Sequence, residues 1–171
     1  MATIITQTSS ANTAITFDLS SLATSSTFLV GRESTQIDNT TNNYVDVIVN
    51  VKGINGHAST APSVGNLISL WVWGADTSLA TTAIDVLAGS DANRTLGHAS
   101  VLNSLRFVAA PSVTVATANL KYWFQPFSVA AQFNGIMPKF WGLYLAHNQP
   151  GSLAASQTGL FSYSGITYTS T

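Results

Sequence analysis

Apolar and polar positions alternate along much of this 171-residue chain. The period is two, the repeat of a β-strand, whose successive side chains face opposite ways. In "YVDVIVNVK" at 44–52, Val45, Val47, Val49 and Val51 face one way and Asp46, Asn50 and Lys52 the other. That pattern predicts a strand with one buried and one wet face. "LISLWVWG" at 67–74 predicts a second strand, apolar on both faces, and "SLRFVAA" at 104–110 a third. "NLKYWFQPF" at 119–127 predicts a fourth, ending at an edge or rim because Pro126 cannot donate to a ladder. The fifth, "PKFWGLYLAHN" at 138–148, sets Phe140, Gly142, Tyr144 and Ala146 against Trp141, Leu143 and Leu145, so neither face is wet before His147. The sixth, "GLFSYSGITY" at 159–168, is expected to bend or bulge at Gly165.

Fainter strand patterns occur in "TAITFDL" (13–19), "STFLVG" (26–31) and "TTAIDVL" (81–87). Between these segments lie "DNTTNN", "GINGHASTAPSVGN", "GSDANRT" and "HNQPGS", built from the residues that turns use. Short strands punctuated in this way predict an all-β fold, an antiparallel β-sandwich of jelly-roll-like type. At most one short helix is expected, at "SVAAQFNG", where Ser128 can cap and Asn134-Gly135 suits a left-handed C-terminus. Residues 1–12 read as an extended N-terminal arm and residues 13–171 as a single sandwich domain, with no internal repeat or linker. The segment 138–148 needs cover on two sides. One face is expected to meet the opposing sheet, and the other the "SVAAQF" turn or a neighbouring protomer.

Composition narrows the chemistry. Only 8% of residues are charged, against about 25% in an average soluble protein. Six Lys/Arg are scattered among seven Asp/Glu, which leaves no basic stripe for nucleic acid and no attraction to anionic membranes. No apolar run approaches the length of a membrane-crossing helix. Before Arg32 the only charged side chain is Asp18, so a basic secretory leader is not expected. A chain without cysteine has neither disulfides nor thiolate metal sites. With a net charge of −1 and 46% hydrophobic residues, self-association is the expectation.

Catalytic groups are sparse. His57, His98 and His147 stand alone, without metal-ligand spacing, and no metal or other cofactor is expected. Glu33 is the only glutamate and the aspartates occur singly, so no carboxylate pair for glycoside hydrolysis stands out. No Gly-x-Ser-x-Gly elbow or phosphate-cradling glycine loop is present. No catalytic, cofactor-binding or metal-binding residue is therefore singled out, and an enzyme is not expected. The triplets at Asn39 and Asn93 match glycosylation acceptors but are read as coincidental. Arg32 is expected to fork onto Asp38 or Asp46 and pin a loop. Trp71, Trp73, Trp123 and Trp141 suit a sandwich core or subunit interface, or else sugar stacking.

The phrases "GRESTQIDNTTNNYVDVIVNV" and "FQPFSVAAQFNGIMPKFWGLYLAHNQPG" resemble those of small virion proteins of tailed bacteriophages, over residues 13–168. The role such a resemblance implies is a capsid cement or decoration protein: a β-sandwich, commonly a homotrimer, on the outer surface of the head. Its implied partners are the major capsid protein and itself, and its assembly takes place in the host cytoplasm. That family offers no catalytic residues to transfer. A neck, tail or receptor-contact component of the virion and a carbohydrate-binding β-sandwich module are the alternatives.

Overall fold

The computed structural model describes residues 5–170. Among them, strands and short helices follow in the order β1 (Ile5–Ser9), β2 (Thr13–Ala14), β3 (Val30–Glu33), β4 (Ile37–Asp38), β5 (Asp46–Val51), β6 (Ile54–Asn55), β7 (Ile68–Ala75), β8 (Ala92–Thr95), α1 (Val101–Ser104), β9 (Arg106–Ala109), β10 (Lys121–Tyr122), β11 (Phe127–Ser128), α2 (Val129–Gln132), β12 (Phe140–His147) and β13 (Phe161–Ser170). Every strand pairing is antiparallel. One main sheet runs β1-β13-β5-β11 with β2 also on β13, the other runs β8-β3-β12-β7-β9 with β4 also on β12, and β10 and β6 form a separate two-stranded sheet. The fold is an all-β sandwich, as the alternation predicts.

The alternation of β5 holds at its centre, where Val47 and Val49 are buried and Ile48 and Asn50 half-exposed, whereas Val51 is half-buried and Val45, before the strand, is exposed. Val47 and Val49 meet Phe161 and Tyr163 of β13, paired beside them, and Leu70, Val72, Leu143 and Leu145 of the other sheet in one apolar layer. The ring of Trp141 stands edge-on to Tyr163, with centroids 5.6 Å apart at 84°, closing the gap between sheets. Burial of such side chains is the main favourable term holding the two layers together.

The second face of β12 is covered neither by the α2 turn nor by a neighbour, contrary to expectation. Tyr144 and Ala146, with Trp71 and Trp73 of β7, pack against a second apolar cluster made from the chain's own connections. Leu79 and Leu87 come from the segment after β7, and Leu96 and Leu105 from the segment between β8 and β9. Gly142 belongs to this face for a steric reason: it lies opposite Trp73, whose indole occupies the place of a Cβ.

Other departures have equally local causes. Two short helices form where one was expected, because Val101 and Leu102 turn inward to join the second cluster. The predicted strand at 119–127 divides into β10 and β11, which pair with β6 and β5 in different sheets. Only Thr13–Ala14 of the segment 13–19 joins a ladder, although Ile15, Phe17 and Leu19 continue to alternate inward. The segment 81–87 forms no strand, whereas β8 arises within an expected turn and pairs with β3. Gly165 makes no bulge in the β13/β5 ladder. It pairs regularly with Val47, and the ring of Tyr44 fills its missing side chain's place. Register shifts lie instead in the β7/β9 pairing, between Leu70 and Trp71, and on the N-terminal side of β13, where residues 10–12 between β1 and β2 face only Ser164 and Gly165. Within the expected N-terminal arm, Ile5–Ser9 lies along β13, and residues 1–4 fall outside the described residues.

Candidate functional site

The polar cluster around Arg32 works as a set of pins. Arg32 Nε donates to Asp91 Oδ1 at 2.7 Å, rather than to Asp38 or Asp46 as the sequence suggested. Asp91 also accepts from the backbone N–H of Asp18, so one guanidinium–carboxylate pair ties β3 to the N-terminal segment. The Asp91 carboxylate raises the pKa of Arg32. Hydrogen bonds from Ser20 hold Asp18 below the ordinary carboxylate range, and those from Thr40 do the same for Asp38. Asp46 accepts from Ser128 Oγ and from the backbone N–H of Ala130.

Glu33 is the most consequential of these residues. It is wholly buried, and it accepts from Arg94 Nε at 2.8 Å, Gly89 N at 2.7 Å and Ala88 N at 3.1 Å. An ionised carboxylate so enclosed is tolerable only with such a complement of donors. Since Ala88 and Gly89 end the segment whose leucines cover Trp71 and Trp73, Glu33 anchors that cover. Gln36 assists, accepting from Leu79 N at 2.8 Å, and Asp85 joins the two covering segments through Gly97 N at 2.7 Å. Nothing in the spacing of a lone glutamate points to this role; its position beside an arginine after an apolar run is the only signal.

The three histidines are far apart in role. His57 Nδ1 accepts from the backbone N–H groups of Ser59 and Thr60, and His98 Nδ1 meets Ser100 Oγ at 2.8 Å; both organise turns. His147 is fully buried and donates through Nε2 to the carbonyl of Leu22 at 2.9 Å. Burial lowers its pKa, and its Nδ1 meets no partner among the described residues. Burial also pushes the Tyr122 hydroxyl up to about 12. Among the described residues no three His, Cys, Asp or Glu side chains gather around a possible metal position. No helix there is long and apolar enough to cross a membrane. Asn39 is buried and both ends of its amide bond Tyr44 backbone, which makes it a turn brace.

The tryptophans divide sharply. Trp71, Trp73 and Trp141 are core residues, so none of these three can serve as a sugar platform. Trp123 is 65% exposed although its neighbours Tyr122 and Phe124 are buried. Lys121 Nζ lies over its ring, 5.6 Å from the centroid. A groove of about 310 Å³ opens beside it, between the end of β9 and the stretch leading into β11.

The edges of the sandwich are the other exposed feature. Beyond Ile166, β13 outruns β5 and continues with β1 as a two-stranded ribbon. Ile166 O accepts from Val45 N on the β5 side. Strand geometry therefore turns the N–H and C=O of Tyr168 to that side, where no described strand pairs with them. The Tyr168 side chain is 56% exposed.

Comparisons with protein-family models, with characterised proteins and with solved structures found no match to this chain.

Proposed function

We propose that this protein is a structural virion component, a capsid cement or decoration protein that binds the outside of a head shell and bridges its subunits. The observation that carries this reading is the terminal ribbon. A two-stranded ribbon in water is marginal alone, and an open strand edge is a template for another chain. Here the edge beyond Ile166 is continuous with β5, so a strand from a neighbouring copy or from the capsid protein has a ladder to extend. The charged side chains support the same reading by holding the chain's own loops. The resemblance to phage virion proteins supports it from the sequence side.

In this reading the protein self-associates as a homotrimer and contacts the major capsid protein over about 1,000 Å² or more per site. Repetition over the shell turns modest contacts into firm attachment. The test is to image and quantify purified particles carrying the full chain, and then a chain lacking residues 1–9. Copies spread over the head lattice, lost on deletion although the truncated chain stays folded, are the expected result. Copies confined to the neck or tail axis would replace the cement role with the alternative virion role. A chain absent from particles would end both.

A further inference from the structure

We propose that the groove between the β9 and β11 edges binds a neutral carbohydrate, with Trp123 as its stacking platform and the amides of Gln125 and Gln132 as its hydrogen-bonding partners. This goes beyond the cement role and does not depend on it.

Three observations converge on that ligand class. First, the chain spends its largest apolar side chain on the surface. Residues 122–124 alternate buried, exposed, buried, and the exposed one is Trp123. An aromatic ring can bury about 150–250 Å², so leaving one in water marks a contact surface. The indole is also held in place, because Lys121 lies over the ring and Gly53 approaches its edge so closely that a Cβ there would come within 3.2 Å of Trp123 Cζ2.

Second, the lining carries no charge. Residues 108–111 and 123–127 form the walls, with Gln132 of α2, and none is acidic or basic. A phosphate, sulfate or carboxylate would lose its hydration against these walls, and the one cation beside them, Lys121 Nζ, already lies over the indole. A cationic ligand would find no carboxylate. The groove's volume, about 310 Å³, lies at the small end of the range for ligand sites.

Third, the polar groups are amides that both donate and accept. Gln125 is exposed and Gln132 half-exposed, and neither side chain is hydrogen-bonded to another described residue. A sugar ring has one face of C–H groups and a rim of hydroxyls. The first suits an indole and the second suits carboxamides, each of which offers an acceptor oxygen and two N–H donors. Pro111, Pro126 and Phe127 supply rigid apolar walls between them.

The competing occupant is the apolar surface of a second copy, and the experiment separates the two. The full chain is titrated with maltohexaose, cellohexaose and chitohexaose, and with a sulfated oligosaccharide as the anionic control. Intrinsic fluorescence and calorimetry supply the readouts. Trp71, Trp73 and Trp141 are buried, so a ligand in the groove perturbs the emission of Trp123. Saturable binding of at least one neutral probe, weaker binding of the sulfated one and loss of both signals in Trp123→Ala are the expected results. Gln132→Ala should weaken binding about tenfold, with the thermal midpoints of both variants close to that of the parent. Failure of all three neutral probes overturns the proposal, as does binding that survives Trp123→Ala or prefers the sulfated probe. A Trp123→Ala chain that sediments as a smaller species, without sugar binding in the parent, assigns the groove to a second copy instead. None of these outcomes alters particle attachment through residues 1–9, so the two readings fail independently.

Discussion

The two sheets share one core and part company on their outer faces. On the six-stranded sheet the outward positions of β7 and β12 include Trp71, Trp73 and Tyr144, and the chain roofs them with its own long connections. On the five-stranded sheet the outward positions of β5 and β13 include Ile48, Asn50, Ser162 and Ser164, all left half-exposed. A sheet's second face is therefore dry or wet according to residues visible in the strand itself, as is general for antiparallel sheets. A roof made of loops brings an additional demand. It lacks the ladder that orders a strand, so polar side chains must fix it, and the buried Glu33 and half-buried Gln36 do so.

The contrast can be broken most directly by truncating one outward side chain on each sheet. Trp73→Ala should destabilise the fold by about 3–5 kcal/mol, the usual cost of deleting a buried tryptophan. Ile48→Ala should cost about 1 kcal/mol or less, because that side chain keeps part of its contact with water. Urea unfolding midpoints measure both. Equal penalties would mean that something already covers the five-stranded sheet in the free protein.

Next in size is the pin. Glu33→Gln keeps the shape of the side chain but removes the charge that answers Arg94 and strengthens the bonds from Ala88 and Gly89. The expected loss is about 2–3 kcal/mol, in the range for hydrogen bonds to a charged group. It should be local before it is global. Amide exchange and proteolytic cleavage within residues 76–91 should accelerate while the β5 and β13 amides stay protected. Uniform loss of protection would show that the roof and the core open as one unit.

His147 makes the stability of the fold depend on pH. Its imidazole is buried on the inner face of β12 and its pKa lies below that of the unfolded chain. The unfolded state therefore binds the proton more readily, and the stability owed to neutral His147 is present above about pH 6.5. Stability should fall as pH drops below that value, by at most about 1.4 kcal/mol per unit, until the folded-state pKa is reached. Denaturant titrations at pH 7.5 and 5.5 should show the loss in the parent and a much smaller one in His147→Gln. Asp18 acts in a separate window: its lowered pKa withdraws stability only as acid reaches the carboxylate range.

The central strands β5, β13, β7 and β12 were legible because a period of two records burial directly. "YVDVIVNVK" and "PKFWGLYLAHN" announce one wet face and none. What the pattern does not carry is the identity of the cover. Leu79 and Leu96 lie in segments without periodicity, Leu87 closes only a faint pattern and Leu105 precedes β9, and their burial depends on where loops land rather than on spacing. For the same reason Arg32 was matched with nearby Asp38 and Asp46, whereas its partner Asp91 arrives from 59 residues away. β8 was hidden because "ANRT" has turn composition; it forms a strand by borrowing the ladder of β3. Trp123 was visible as a tryptophan, but its exposure was not, since the segment around it splits between sheets.

The smallest effect sits at the open margin of the five-stranded sheet. There Ser128 ends β11 and begins α2, accepting from Ala131 N at 2.9 Å while donating to Asp46 Oδ2 at 2.7 Å. Asp46 returns the favour to the helix by accepting from Ala130 N, so two otherwise orphaned helix donors are satisfied by one serine and one aspartate. Ser128→Ala should cost about 1 kcal/mol, as removal of a capping hydroxyl does, and Ser128→Thr should recover most of it. Ser128→Asp should not, although aspartate is a good cap elsewhere, because its carboxylate would face that of Asp46 across the former hydrogen bond. Thermal melts of the three variants in low and high salt decide the point, since screening should relieve only the aspartate. A Ser128→Asp chain as stable as the parent in low salt would show that the margin can rearrange, a freedom the pinned roof over the other sheet does not share.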